Sequence, residues 1–191
     1  MVRPVLQVVV GSTRPERKGL AVGRWVQQLA EQHGGFDVEL VDLAEVGLPI
    51  FDEPNHPRLG QYVRQSTKDW SATVSRADAF VFVTPEYNHS FPAALKNALD
   101  HLFREWADKP AGLVSYGGVS AGLRAATALK PVLAALRMVP VVEAVSIPLF
   151  QQFLTEDGGF AGNDQLAGSA KAMFDELLRL ASALQPVRAA R

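Results

Sequence analysis

An unbroken apolar run at residues 79–83 is followed by a polar corner and then by apolar residues at helical spacing. Five consecutive apolar residues are typical of a strand covered by helices on both faces, so we predict a central parallel strand. From Leu95, apolar residues recur at i, i+3, i+4 and i+7, which predicts a helix over residues 92–103. The corner at residues 84–89 therefore follows a buried strand, where open α/β sheets bind their ligands.

The corner itself has a backbone suited to binding. Pro85 has no N–H group and forces Thr84 out of the α region. We therefore expect the amides of Glu86, Tyr87 and Asn88 to turn together at the end of the strand. Such a corner can hold a flat polar ligand by its edge.

The rest of the chain alternates between strand-like and helix-like segments. Strands are predicted at residues 5–10, 38–43, 111–115 and 141–147, and helices after residue 19 and at 66–76, 123–136 and 166–184. Pro131 predicts a kink or a late start in the fourth helix, because it cannot donate to the Thr127 carbonyl. Pro140 stands at the entrance of the last strand and favours an edge position. From Gln185 onward we expect a frayed tail.

Five strands alternating with helices predict a doubly wound parallel α/β sheet, because parallel neighbours need right-handed crossovers. We expect the strand order 2-1-3-4-5, with three layers and a single domain over residues 1–191. The switch point of that order lies between the first and third strands. It should bring the loops at residues 11–19, 84–89 and 116–122 to one rim, so that they form one site.

Composition limits the class of protein. The chain has 191 residues, 48% of them hydrophobic, a formal net charge of -1 and no cysteine. This size suits one compact domain, and the balanced charge argues against nucleic-acid or membrane-surface partners. The lack of cysteine excludes disulfides, thiolate metal sites and a cysteine nucleophile. No apolar run reaches the length of a membrane span, so we expect a cytoplasmic protein.

The first loop has the residues of a phosphate site. Ser12 and Thr13 offer hydroxyls, Arg14 and Lys18 offer positive charge, and a helix begins just beyond them. The loop contains neither a GxGxxG turn nor a P-loop, so a mononucleotide fits better than a dinucleotide bound in Rossmann fashion. A solvated basic turn before a surface helix is the structural alternative.

Three segments resemble the NADPH-dependent FMN reductase family, whose members are flavodoxin-like quinone, azo-dye and chromate reductases. The resemblance covers most of the chain and rests on GSTRPERKG at 11–19, TPEYNHSFPAALKNALD at 84–100 and SYGG at 115–118. It implies a flavodoxin-like fold, FMN as cofactor, NADPH or NADH as co-substrate, a small-molecule electron acceptor and a homodimer or homotetramer.

The resemblance also implies which residues bind FMN. The phosphate would be held by Ser12, Arg14 and Lys18 with nearby backbone amides of a loop that includes Thr13 and Gly19. The ring system would lie along Pro85, Glu86, Tyr87 and Asn88, and would be bordered on its other side by Ser115, Tyr116, Gly117 and Gly118. No catalytic side chain is needed, because the flavin carries the hydride. Glu86 is more consistent with a helix-start carboxylate or a solvated residue than with an acid or base.

Other functions remain as alternatives. A flavodoxin-like electron carrier shares the fold, but a carrier that docks on redox proteins usually has a pronounced surface charge. A phosphoacceptor receiver would need aspartates clustered at the strand ends. Gly118 to Gly122 matches the G-x-S-x-G nucleophile elbow, yet all four histidines precede Ser120 and the hydrolase order requires one after it. His101 and Glu105 alone do not make a metal site.

Overall fold

The computed structural model describes residues 3–190 and contains five strands and six α-helices within that range. Two short 3₁₀ helices, Pro57–Leu59 and Phe150–Phe153, lie in the connections. In chain order the elements are β1 (Val5–Val10), α1 (Gly19–His33), β2 (Asp37–Asp42), α2 (Leu43–Val46), α3 (Gln65–Ser75), β3 (Ala79–Pro85), α4 (Ala93–Asp100), β4 (Pro110–Tyr116), α5 (Leu123–Ala135), β5 (Val139–Ile147) and α6 (Asp164–Ala189).

The strands form one parallel sheet in the order β2-β1-β3-β4-β5, which confirms the predicted topology. β1 pairs with β2 on one side and with β3 on the other. The chain therefore reverses its direction of winding between β1 and β3. In open α/β sheets a switch point of this kind is where the ligand-binding crevice lies, at the carboxyl edge of the sheet.

Apolar residues cover both faces of the sheet. One core joins α1 and α6 to one face of β1, β3, β4 and β5, with Val8, Val81 and Phe174 at its centre. The other core packs α3, α4 and α5 on the opposite face, around Trp70, Phe82 and Trp106. All seven residues of β3 and of β4 are buried, which explains why the run at 79–83 shows no alternation.

The two prolines behave differently from each other. Pro140 is the second residue of β5 rather than its entrance, and β5 is an edge strand, as the proline predicts. Pro131 lies inside α5, which begins at Leu123, so the expectation of a late helix start is wrong. Pro131 is exposed, and its ring therefore faces solvent rather than the sheet.

The C-terminal helix α6 continues to Ala189, through the residues after Gln185 where we expect fraying. Arg188 accounts for the extension. Its guanidinium donates to Asp78 at 2.8 Å and to the Asp108 carbonyl at 3.3 Å, which attaches the last turn of the helix to the sheet. None of the helices in residues 3–190 has the length and apolar character needed to cross a bilayer.

Candidate functional site

The loops that follow β1, β3 and β4 meet at the carboxyl edge of the sheet, as the strand order predicts. They enclose a cleft of about 450 Å³. Gly11, the first residue after β1, donates its N–H to the Val83 carbonyl at 2.9 Å and so joins the first loop to β3. The cleft is lined by Ser12, Arg14, Pro15, Glu16, Arg17, Lys18, Pro85, Glu86, Tyr87, Tyr116, Gly117, Gly118, Phe150 and Gln151.

The loop before α1 presents hydrogen-bond donors and positive charge to this cleft. Lys18 is the N-cap of α1, and its side chain makes no capping hydrogen bond. The first backbone bond of the helix runs from Val22 N–H to the Lys18 carbonyl, so the amides before Val22 have no intrahelical acceptor. Arg14 and Lys18 form no ion pair with any residue in the range 3–190.

Arg17 differs from its basic neighbours, because it forms an ion pair with Asp42 at the end of β2. The Asp42 carboxylate is almost fully buried and also accepts the Ala44 amide at 3.0 Å, which caps α2. The Arg17 charge is thus neutralised within the protein, and the pair attaches the first loop to β2. Sequence reasoning assigned Arg17 no role, although a carboxylate that ends the neighbouring strand is a visible partner.

The corner after β3 is a two-residue hairpin. Tyr87 N–H donates to the Ser90 carbonyl at 2.8 Å, and Ser90 N–H donates back to Tyr87 at 2.9 Å. Asn88 and His89 between them have φ of 49° and 66°, the values of a type I′ turn. The Tyr87 amide is therefore used inside the turn, which corrects the expectation that the three amides face a ligand together. The side chains of Asn88 and His89 are exposed beyond the cleft wall.

The Glu86 carboxylate binds the start of α5, although the next helix along the chain is α4. Its carboxylate accepts from Arg124 Nη1 at 2.7 Å, from the Arg124 amide at 3.1 Å and from Ser120 Oγ at 3.2 Å. Burial alone would raise the pKa of Glu86, but the Arg124 and Ser120 hydrogen bonds and the Arg124 charge outweigh it and hold that pKa below 4.5. The helix-start interpretation is confirmed, with α5 rather than α4 as the helix.

Tyr116, the last residue of β4, is buried on the floor of the cleft. Its ring packs edge-on against Phe150 at 5.2 Å between centroids. Burial, together with the neighbouring phenol of Tyr87, raises the pKa of Tyr116, so its hydroxyl stays protonated. Ser12 Oγ lies 3.0 Å from the Tyr87 hydroxyl, which links the first loop to the corner after β3.

Four of the thirteen residues predicted to bind a ligand lie outside the cleft wall. Thr13 lines an adjacent cavity of about 360 Å³. Ser115 donates its hydroxyl to the Ala121 carbonyl at 2.9 Å, inside the protein. Gly19 packs against Tyr116, since an added Cβ would fall 2.5 Å from the Tyr116 hydroxyl. With Asn88 in its turn, these four shape the loops, and a binding role for them stays a prediction.

Phe150 and Gln151, in contrast, line the cleft and were not predicted. They belong to the 3₁₀ helix after β5, which is hydrogen-bonded to the third loop through Leu149 N–H to Gly118 (2.9 Å) and Phe150 N–H to Gly117 (3.2 Å). The predicted strand order could have indicated this fourth segment of the cleft. A loop leaving β5 emerges beside β4 at the same edge, so a fourth segment could have been expected there.

Comparison with known proteins agrees with this geometry. The sequence profile of the NADPH-dependent FMN reductase family matches residues 5–152. The chain belongs to this family. Relatives include an NAD(P)H-dependent FMN reductase of Schizosaccharomyces pombe, 42% identical with 77% of this chain and 75% of the relative covered. A probable NADPH:quinone oxidoreductase of rice (Oryza sativa subsp. japonica) is 35% identical, with 68% of each chain covered.

The solved structures show the same fold. FerB, a flavoenzyme NAD(P)H:(acceptor) oxidoreductase from Paracoccus denitrificans, superposes with a TM-score of 0.73 at 25% identity, covering 94% of this chain and 98% of that one. The protein is thus an oxidoreductase of the FMN reductase family, with a flavodoxin-like fold, FMN as cofactor and NADPH or NADH as co-substrate.

The cleft residues fit FMN as the family requires. One end of the cleft has two cations without carboxylate partners and the uncapped start of a helix, which are the groups that hold a terminal phosphate. At the other end a Cβ added to Gly118 would meet nothing within 4 Å, so the backbone is open to a flat ring. A larger cavity, of about 820 Å³, lies at the opposite edge of the sheet.

Proposed function

We propose that this protein binds FMN in the cleft at the carboxyl edge of the sheet and passes reducing equivalents from NADPH or NADH to a small-molecule acceptor such as a quinone. The observation that carries the proposal is the meeting of three separated segments in one cleft with Arg14 and Lys18 uncompensated. A phosphate-bearing ligand would supply the missing negative charge. The near-neutral net charge favours a small molecule over a docking protein as acceptor.

At the phosphate end, Ser12 donates its hydroxyl and Arg14 and Lys18 donate charged N–H groups to the terminal phosphate. The amides at the start of α1 add further donors and the positive end of the helix dipole. Arg17 is excluded from this set, because Asp42 already neutralises it. Its role is to hold the loop in position.

At the ring end, Pro85, Glu86, Tyr87, Tyr116, Gly117 and Gly118 border the flat part of the cofactor. Bound FMN supplies the hydride-transfer chemistry, and the protein supplies orientation and electrostatics. The Glu86 carboxylate is ionised and engaged with Arg124, so it is no proton donor at neutral pH. It fixes the third loop, and with it Gly117 and Gly118, against the corner after β3.

We further propose that the chain acts as one FMN-binding domain in the cytoplasm and assembles as a homodimer or homotetramer. Exposed apolar side chains in the connection between β2 and α3 support the assembly. Ile50 is 82% exposed, and Leu59 and Val63 are about half exposed. α3 and the segment around α4 are the candidate contact elements, because both lie on the same side of the sheet as that connection.

The decisive experiment is a titration of the purified protein with FMN and with riboflavin, followed by anaerobic addition of NADPH. We expect tighter binding of FMN, with NADPH then bleaching the flavin absorbance. Arg14→Ala or Lys18→Ala should weaken FMN binding about 10- to 100-fold, the worth of one charge-assisted hydrogen bond, and leave riboflavin unaffected. Lys130→Ala, an exposed cation on α5, is the matched control. Equal affinities for FMN and riboflavin would contradict the proposal.

A further inference from the structure

A second cavity lies at the amino edge of the sheet, opposite the FMN cleft. It has a volume of about 820 Å³ and opens where the chain enters β3, β4 and β5. Asp78, Lys109 and Arg137 stand just before those three strands. With about 3.3 Å per strand residue, the seven residues of β3 place the two sites roughly 20 Å apart. The FMN reductase reaction therefore leaves this cavity unexplained.

Positive charge dominates its lining. Five cations face two carboxylates there: Arg58, Arg104, Lys109, Arg137 and Arg188 against Asp78 and Glu105. Arg188 is paired with Asp78, and Arg137 with Asp108. Glu105 accepts hydrogen bonds from Tyr62 and Ser71 instead of from a cation. Arg58, Arg104 and Lys109 then remain against the single Glu105 carboxylate, so the lining keeps an excess of positive charge.

Lys109 is the buried member of the set, with only 6% of its surface exposed. Its Nζ donates to the Val74 carbonyl at 3.0 Å and to the Ser75 carbonyl at 3.4 Å, at the end of α3. Two of its three donors are therefore used, which leaves one. Burial, and then the nearby Arg188 charge, lowers the pKa of Lys109 to about 8. An anion in the cavity would stabilise the charged form.

Arg58 and Arg104 are exposed and supply the free donors. The Arg58 guanidinium lies 4.7 Å from the centroid of the Phe103 ring and makes no hydrogen bond within residues 3–190. Arg104 uses only Nε, which donates to the Arg58 carbonyl at 2.9 Å. Cations at this edge can also stabilise the carboxyl ends of helices. That role accounts for Lys109, but within residues 3–190 the free nitrogens of these two arginines make no hydrogen bond to a helix end.

We propose that this cavity is a second ligand site, which binds a small phosphate-bearing anion with two or more negative charges. Guanidinium groups suit phosphate because each presents several N–H donors in one plane. The volume is in the range of known small-molecule sites, so either an inorganic polyphosphate or a nucleoside phosphate fits. Both share the chemistry that Arg58, Arg104 and Lys109 recognise.

The test is a calorimetric titration of the FMN-saturated protein with pyrophosphate and with ADP at constant ionic strength. Saturation with FMN keeps the phosphate loop at the carboxyl edge occupied. We expect one saturable site per chain, and the tighter of the two probes identifies an inorganic or a nucleotide ligand. Arg58→Gln/Arg104→Gln should raise the dissociation constant for that probe at least tenfold, because two charge-assisted contacts are lost.

The control is Lys68→Gln/Lys130→Gln, which removes the same charge from two exposed cations elsewhere and should change the dissociation constant less than twofold. If the Lys109→Met variant folds, its dissociation constant for the probe should also rise. If it does not fold, the test rests on the variant of the two exposed arginines. Absence of saturable binding would overturn the proposal. So would equal weakening by the control pair, or an unchanged dissociation constant in the arginine variant.

Discussion

Glu86 couples two of the loops that form the FMN cleft, and its ionisation gives that coupling a pH dependence. The folded pKa lies below the ordinary 4.5, so the carboxylate contributes stability that is present above pH 4.5 and is lost as pH falls through the folded pKa. Glu86→Gln should therefore lower the free energy of unfolding at pH 7. The difference from the wild type should shrink below pH 4.5. Urea unfolding at pH 7 and at pH 3.5 measures both; a difference that grows in acid would contradict the assignment.

The close contact between Gly19 and the Tyr116 hydroxyl can be tested by substituting each residue. Gly19→Ala would place a methyl group 2.5 Å from the Tyr116 hydroxyl, so the ring must shift. We expect a loss of about 1–3 kcal/mol in stability and weaker FMN binding. Tyr116→Phe removes the hydroxyl and should restore much of the loss in the double variant. Additive effects in this double-mutant cycle, by thermal unfolding and flavin titration, would argue against the contact.

The site was predictable where strand order alone determines it. Ser12, Arg14 and Lys18 follow β1, and the residues after β3 and β4 reach the same edge for the same reason. Local backbone geometry was not predictable to that degree. Asn88 and His89 adopt a turn conformation that Asn-Gly sequences usually signal, so the hairpin had no strong sequence mark. The side-chain direction of Ser115 depends on a carbonyl six residues away, which no pattern reveals.

Among the elements, α5 contains an interior proline that the helix accommodates at a cost. Pro131 provides no N–H for the Thr127 carbonyl, and its side chain is exposed, so little packing depends on it. Pro131→Ala should stabilise the protein by about 1–2 kcal/mol. This is less than the roughly 3 kcal/mol of an interior proline, because the variant also gains unfolded-state entropy. Denaturant unfolding measures the change, with Ala134→Gly, destabilising by about 1 kcal/mol, as the opposite control.

Element boundaries follow tertiary contacts that sequence periodicity does not contain. The apolar stripe of α6 weakens after Leu184, which favours fraying when only the helix is considered. The last turn persists because Arg188 reaches Asp78, a residue more than a hundred positions earlier. Hydrophobic periodicity predicts only the part of a helix that packs against a sheet. The last turn of α6 is held by an ion pair, so periodicity does not predict it. The central strands, whose burial is complete, were placed correctly to within a residue or two.

For the whole molecule, the predicted assembly can be tested directly. Static light scattering at micromolar concentration should give a mass of two or four times 20.7 kDa. Ile50→Asp/Val63→Asp should shift the mass toward that of one chain, since a charge in an apolar contact remains unpaired. Val142→Asp, in the edge strand β5 and 86% exposed, is the control and should leave the mass unchanged. A single-chain mass for the wild type would contradict the assembly.

The position of β1 between β2 and β3 also affects how the chain folds during translation. Leu6 pairs with Val38 on one side, but on the other it pairs with Ala79, far along the chain. At roughly 5–20 residues per second, a ribosome needs about 4–15 s to extend the chain from Leu6 in β1 to Ala79 in β3. Until then a valine-rich strand has one unpaired edge, because its nonlocal partner does not yet exist. Slower translation between β2 and β3 would lengthen this exposure.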